Sequence, residues 1–348
     1  MEINFNIKNN ALKLIKSYLQ DRTFCVNVKN HLSSPKKLNF GVPQGSLLGP
    51  IFYILYIHEL EKIAIKHGFK IQIYADDCQL YTSFVNDNIT NVESTLKACL
   101  DEINNWMSNN YLMLNTDKTL IKIFWNKKSQ LDINKFSDFK LNSMVRVLGV
   151  NIDGCFTFDS FIANKVRTCS MHLKNLYNIR ESLDFQTRIL LITNLILSTI
   201  DYCNIILIGC SDLALRPLKL IINRSIRFIF NHIKFRQHIS PFYDQLHFLP
   251  IRKRIIFKTC LLGYKIFYRV APVYLEEKVQ RFTPTITHME LREGSGRDPY
   301  MFETSLHKKN SIMDMMKLEW NKLPLNLRKC MTITTFKTKL KTHLMSQK

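Results

Sequence analysis

Apolar and polar positions recur along this chain with two periods, and the balance between them shifts part-way. Residues 10–19 place Leu12, Ile15, Tyr18 and Leu19 at helical spacing. Phe24, Val26 and Val28 then alternate with Cys25, Asn27 and Lys29, the pattern of a half-buried strand. Residues 41–50 (GVPQGSLLGP) are a dense cluster of turn residues, and an apolar helix follows to about Lys66, with Pro50 in its first turn. Ile71–Tyr74 and Gln79–Phe84 are strand-like runs around Ala75-Asp76-Asp77, which predicts a hairpin with acid at its tip. Thr90 and Glu93 have capping-box spacing, and Val92, Leu96, Leu100, Ile103, Trp106 and Met107 recur behind them at helical intervals. Residues 111–124 and 141–152 read as strand-rich.

From about Phe156 the helical period dominates. It runs through 160–183, 184–206, 212–232 and 251–268, and again through 312–345. Residues 282–300 are polar, with turn signals, and predict a loop. Sequential hairpins without regular βαβ alternation, followed by helices, give an α+β fold class. A boundary near 153–156 divides the chain into expected segments 1–153, 154–281 and 282–348. The most apolar stretch, Ile189 to Ile208, carries Thr193, Asn194, Ser198, Thr199, Asp201 and Asn204. That polar load predicts a buried helix rather than a membrane span.

Composition narrows the function. Lys and Arg number 49 against 28 Asp and Glu, a net charge of +21, which points to a polyanionic partner, nucleic acid before membrane. A 46% hydrophobic content excludes wholesale disorder. The nine cysteines form no CxxC pair and none has zinc spacing with histidine. They read as reduced, mostly buried thiols, with no disulfide-linked partner. His232, His238 and His247 lack cysteine partners, so no zinc is assigned. The polar N-terminus carries no secretory signal, so a nuclear or cytoplasmic location is expected.

Between Arg216 and Lys258 there are ten Lys and Arg and one acid, Asp244. Arg216, Lys219, Asn223 and Arg227 share one face of a predicted helix, with Leu218, Ile222 and Ile229 opposite. This is a positive stripe suited to a nucleic-acid backbone. Arg252-Lys253-Arg254 either extends that stripe or forms a nuclear-localisation-like cluster. Of the interleaved aromatics Phe228, Phe230, Phe235, Phe242, Tyr243 and Phe248, most are expected in the core.

Tyr74-Ala75-Asp76-Asp77 carries the chemistry. Taken alone, an Asp-Asp pair is most often a solvated turn. At a hairpin tip without nearby lysines it is also a site for a hard divalent cation such as Mg²⁺. Two-metal phosphoryl transfer uses such carboxylates to hold two ions about 3.5–4 Å apart.

Four stretches, in order, resemble the reverse transcriptase domain of non-LTR, LINE-type retrotransposons. Residues 41–50 resemble its motif B, Tyr74-Ala75-Asp76-Asp77 its catalytic motif C, and Leu114-Asn115 with Lys118-Thr119 its motif D. Val147-Leu148-Gly149-Val150 with Ile152-Asp153 resembles motif E, and Ser17-Tyr18-Leu19 with Arg22 is typical of the family upstream. Trp320-Asn321-x-Leu323-Pro324 and Phe336-Lys337-x-x-Leu340 resemble, more weakly, the end of that reading frame.

The resemblance implies a partial polymerase palm followed by a helical thumb. It implies RNA-directed DNA synthesis from dNTPs on an RNA template with a DNA primer, using a two-Mg²⁺ site. Asp76 and Asp77 would be metal ligands, and Gln44 and Gly45 would lie against template and incoming nucleotide. Lys118 would sit near the triphosphate, and Arg216, Lys219 and Arg227 would hold the nucleic-acid backbone. The family's motif A aspartate has no match in residues 1–40, whose one Asp, Asp21, lies in a different context. The expectation is therefore an N-terminally truncated copy, an incomplete gene model or a remnant, inactive as a polymerase by itself. The rival expectation is a non-catalytic nucleic-acid-binding remnant.

Overall fold

The structure, a computed structural model, describes residues 5–39, 41–42, 44–85, 89–124, 141–231, 233, 237–279, 300–304 and 311–347. Pro43, His232, Phe235, the side chain of Thr90 and residues 282–299 of the loop expected at 282–300 lie outside the described residues. The chain divides into two compact units: Met1–Ile121 with Lys127–Leu141, and Lys122–Asn126 with Asn142–Lys348. Both helix and small antiparallel sheets are present.

The first unit opens with α1 (Asn9–Leu19). The single strand expected at 24–28 is instead two short ones, β1 (Thr23–Phe24) and β2 (Asn27–Val28). They pair antiparallel with β4 (Lys36–Lys37) and β3 (His31–Leu32). Lys29 and Asn30 both have positive φ, 46° and 68°, as a type I′ hairpin turn requires. Helices α2 (Gly49–Ile57) and α3 (Glu59–Lys66) follow, then β5 (Lys70–Tyr74), β6 (Asp77–Tyr81) and α4 (Ile89–Asn109). The core of this unit is Ile57, Leu60, Ile63, Ala64 and Phe69 against Cys99 and Ile103 of α4. Ile71, Ile73 and Leu80 of the hairpin pack onto it from one side. Residues 111–124 are not a strand: Thr116–Lys118 form a 3₁₀ turn, and strand character is limited to a bridge between Ile121 and Leu141. The Asn115 side chain captures the Lys118 N–H, and this local bond competes with an extended chain.

The second unit holds β7 (Met144–Val147), β8 (Val150–Asp153) and the helices. These begin with α5 (Asp159–Asn178) and α6 (Phe185–Leu191). The helix expected through 184–206 is broken: a π turn, Ile192–Leu197, leads into α7 (Ser198–Asp201) and a 3₁₀ segment, Asn204–Gly209. Then come α8 (Asp212–Ile229), α9 (Ser240–Gln245), α10 (Ile251–Phe267) and α11 (Val273–Glu276). The segment expected as one helix at 312–345 is three, α12 (Ile312–Asn321), α13 (Leu325–Arg328) and α14 (Ile333–Ser346). Pro324 ends the first of these and Thr332 caps the last. No helix among the described residues is long and apolar enough to cross a membrane.

Aromatic stacking closes the C-terminal core. Trp320 is fully buried, stacks on Phe267 at 5.5 Å, and donates its indole N–H to the Tyr300 carbonyl. Asn321 brackets Phe302, accepting from its N–H and donating to its carbonyl. Gly263 of α10 lets α12 approach: a Cβ there would sit 3.0 Å from the Met316 sulfur and 3.2 Å from the Trp320 ring. The described aromatics of the basic region, Phe228, Phe230, Phe242, Tyr243 and Phe248, are buried as expected. All nine cysteines are unpaired; Cys99, Cys169, Cys260 and Cys330 are buried, whereas Cys25, Cys78 and Cys203 are exposed. The thiols are thus less uniformly buried than expected.

Buried and half-buried cations hold the helix ends. Helix C-termini leave carbonyls without partners and carry partial negative charge. Arg180 donates to the Arg227 and Phe228 carbonyls, and Arg188 to Ile229, so two guanidiniums cap the end of α8. Lys165, 5% exposed, donates to the Thr199 and Tyr202 carbonyls at 2.5 and 2.7 Å. Burial lowers its pKa to about 8, against weaker opposing pulls from Cys203, Cys169 and Asp201. Between that value and the usual 10.5 the folded protein has shed a proton that the unfolded chain keeps, so stability rises with pH there. Wild-type stability measured relative to Lys165→Met is therefore expected to increase from pH 8 to pH 10.5, by on the order of 2 kcal/mol. Urea denaturation of both proteins at the two pH values checks this, and a constant difference contradicts it.

Candidate functional site

The acid pair stands on a tighter hairpin than the sequence suggests. Tyr74 pairs with Asp77, so the loop is Ala75-Asp76 alone and Asp77 already belongs to β6. Ala75 has φ 52°, the left-handed conformation that the first position of a two-residue hairpin demands and that glycine adopts more easily. Below the tip, Ile71 pairs with Leu80 and Ile73 with Cys78, and the isoleucines and Leu80 face the core. Asp76 and Asp77 are both exposed. Among the described residues no Lys or Arg pairs with either. Their field reaches two neighbours whose pKa values rise. The thiol of Cys78, an exposed residue, is pushed up first by partial desolvation, then by Asp77 and Asp76. The Tyr53 phenol on α2 is pushed up by burial, Cys78 and Asp76. Tyr53 is a neighbour that sequence reading missed; its place in an apolar helix gave no sign of it.

The helix carrying Tyr53 begins at the glycine-rich loop. Gly41 and Gly45 have φ values of 72° and 83°, which disfavour any side chain there. Ser46 Oγ accepts the Gly49 N–H at 2.9 Å and the Tyr18 hydroxyl at 2.7 Å, tying the loop to α1 and to the start of α2. A Cβ on Gly49 would lie 3.2 Å from both Ser46 Oγ and the Val42 side chain. Gln44 and Gly45 are exposed on the loop. Lys118 is exposed on its 3₁₀ turn. Among the described residues no hydrogen bond or ion pair links Gln44, Lys118 and the acidic hairpin.

In the second unit, Leu148 and Gly149 form the turn of the β7–β8 hairpin, with φ of 46° and 81°. The Tyr202 hydroxyl donates to the Leu148 carbonyl. Asp153 ends β8 and accepts N–H bonds from Cys155, Thr157 and Phe158 and the Thr157 hydroxyl. Burial raises the pKa of Asp153, but these bonds outweigh it and bring it down to about 2.

Residues 3–152 match the family model described as "Reverse transcriptase (RNA-dependent DNA polymerase)". These residues form a reverse transcriptase domain. The chain is 28% identical over 158 residues to the RNA-directed DNA polymerase from mobile element jockey of Drosophila melanogaster, an alignment covering 43% of this chain and 17% of that protein. It is 29% identical over 174 residues to the probable RNA-directed DNA polymerase from transposon BS of the same fly, covering 47% and 19%. Against the corresponding protein of transposon X-element it is 38% identical over 73 residues, 20% and 8%. The chain thus spans less than a fifth of the length of these relatives. No solved structure matches it.

Among the described residues no group of three or more His, Cys, Asp or Glu converges as metal ligands, so Asp76 and Asp77 stand without a third carboxylate. Two carboxylates from one turn do not by themselves bridge two divalent ions.

The basic stripe beyond the domain is also divided. Arg216 and Lys219 are exposed on α8, while Arg227 is partly buried and donates to the Gln237 carbonyl. Asn223 accepts from the Tyr243 hydroxyl. Arg224, one turn before Phe228, is exposed with Arg216 and Lys219. The Arg252-Lys253-Arg254 cluster is committed to the fold. Arg252 binds Asp212 and the Ile208 and Cys210 carbonyls, Lys253 binds the Gln347 carbonyl, and Arg254 grips Asp201 with two bonds at 2.8 and 2.6 Å. Half of these target oxygens belong to the backbone and leave no mark in a sequence.

Asp153 is expected to stabilise the join between β8 and α5. Its depressed pKa means that this contribution is present above the ordinary carboxylate value of 3.8 and is lost as pH falls towards about 2. Asp153→Asn is expected to cost about 2 kcal/mol at pH 7. The two proteins should converge in stability as pH is lowered, read by denaturant midpoints; an undiminished gap near pH 2 would contradict the assignment.

Proposed function

We propose that this chain is part of an RNA-directed DNA polymerase of a mobile element. Asp76 and Asp77 form the acidic edge of the nucleotidyl-transfer site on a palm hairpin. Gln44 and Gly45 lie on the face that meets template and incoming dNTP, and Lys118 lies near the triphosphate. The helices of the second unit act as a thumb, with Arg216, Lys219 and Arg227 on the side of the RNA template and DNA primer. The observation that carries the reading is the exposed, unpaired carboxylate couple at a two-residue turn, inside the segment that matches the reverse transcriptase family. Divalent metal, Mg²⁺ by the hardness of its oxygen donors, suits this edge. A complete site needs a further carboxylate beyond those brought together here.

A second reading, nucleic-acid binding without catalysis, draws support from the exposed Arg216, Lys219 and Arg224. One pair of assays separates the two. The purified chain is expected to bind an RNA–DNA hybrid with affinity that falls steeply with salt, and to leave the primer unextended with Mg²⁺. Asp76→Asn is expected to leave that binding within about twofold, since the acid repels phosphate rather than holding it. Extension by the chain alone, abolished in Asp76→Asn, would remove the claim of an incomplete site. Absence of any hybrid binding at low salt would remove both readings.

A further inference from the structure

The second unit contains a cleft of about 410 Å³ that lies outside the motifs described above. One wall is the π turn, α7 and the residue after it, which contribute Thr193, Leu197, Ser198, Asp201 and Tyr202. The other is α10, which contributes Arg254 and Lys258 one turn apart. A π turn inserts an extra residue into a helix, and such turns are frequent at functional sites. The volume falls at the small end of the range for ligand-binding clefts.

The chemistry of the lining is specific. Tyr202 is 52% exposed, yet its hydroxyl is bonded to the Leu148 carbonyl, so a flat aromatic face is held in place. Buried Leu197 supplies an apolar floor beside it. The Arg254 guanidinium is fixed and neutralised by its bidentate pair with Asp201. Lys258 makes no hydrogen bond or ion pair among the described residues, and its stem is partly buried. It is the partly exposed positive charge of the cleft, and the buried Lys165 ammonium lies 5.6 Å from the Tyr202 ring centroid. Thr193 adds an exposed hydroxyl.

We propose that this cleft holds one nucleotide unit of a single-stranded nucleic acid, with the base on the Tyr202 face and its phosphodiester at Lys258. An aromatic ring and one lining cation without a partner among the described residues match a base and one monoanionic phosphodiester. A triphosphate would leave most of its charge unmatched. The proposal rests on the nucleic-acid reading of the chain and deepens it by naming a second, strand-gripping site away from the acidic hairpin.

Fluorescence anisotropy with a 12-residue oligothymidylate, titrated with salt, tests it on the full chain. Lys258→Gln is expected to weaken binding about five- to tenfold and to flatten the log–log salt dependence by about 0.7, the loss of one phosphate contact on a single strand. The variant's urea midpoint verifies that it is folded. An oligonucleotide carrying one 4-thiothymidine is expected to cross-link to the peptide containing Tyr202. Wild-type affinity and slope in Lys258→Gln, or cross-links confined to other peptides, overturn the cleft assignment. If the Arg216→Gln, Lys219→Gln double variant still weakens binding in that case, the nucleic-acid reading survives it. Failure of the wild-type chain to bind the oligonucleotide at low salt while it binds an RNA–DNA hybrid overturns the cleft assignment alone, and failure to bind either overturns both. Competition by free thymidine monophosphate at lower concentration than the oligonucleotide would make the ligand a free nucleotide and overturn the strand assignment.

Discussion

A two-residue turn that carries adjacent carboxylates keeps its shape only if the strands beneath it are held from behind. An isolated two-stranded hairpin is marginal in water. Ala75 in the left-handed region adds strain of about 1 kcal/mol, and Asp76 and Asp77 repel each other. The support is apolar. Ile71, Ile73 and Leu80 pack on the cluster built by Ile57, Leu60, Ile63, Phe69 and α4. Full burial of such side chains is worth about 1.5–3 kcal/mol each, so even partial burial of three exceeds the strain at the tip. The glycine-rich loop belongs to the same device. It launches α2, whose residues form part of that cluster and whose Tyr53 packs on it within the field of Asp76. A pair of acids displayed to solvent on a rigid base is a poor choice for stability and a good one for a cation, which is why the hairpin carries the functional argument.

The large positive charge does less for binding than its size suggests. Arg180, Arg188, Lys165 and Arg252 direct their donors at carbonyls of helix ends or the loops between helices, and Arg254 is paired with Asp201. These groups bind the helical unit to itself. The charge available to a polyanion is what remains on the surface, such as Arg216, Lys219 and Arg224 on α8 and Lys258 in its cleft. Net charge indicates a class of partner, and only the structure separates caps from contacts.

The same distinction explains how much was legible in the sequence. The acidic hairpin could be read because a two-residue period flanked a short polar turn, and the loop at 41–50 because its glycines and proline punctuate the chain. The core aromatics of α8–α10 were legible from helical spacing. The π turn was not, since Ile192–Leu197 has the composition of any buried helix and differs only in its hydrogen-bond register. Residues 111–124 misled because alternating apolar residues outweighed one side-chain cap, Asn115 on Lys118. Arg227 was assigned to the free face by spacing, yet it lies in the last turn of α8, where the Gln237 carbonyl draws it in.

The central claim is that Asp76 and Asp77 are a cation-binding edge and not an ordinary solvated turn. Terbium(III) luminescence tests it most directly, because exposed Tyr74 precedes the pair by two residues and can sensitise a bound ion. The account predicts tyrosine-sensitised emission that Mg²⁺ displaces and that falls by at least about fivefold in Asp76→Asn and in Asp77→Asn. Emission equal to wild type in both variants would contradict it.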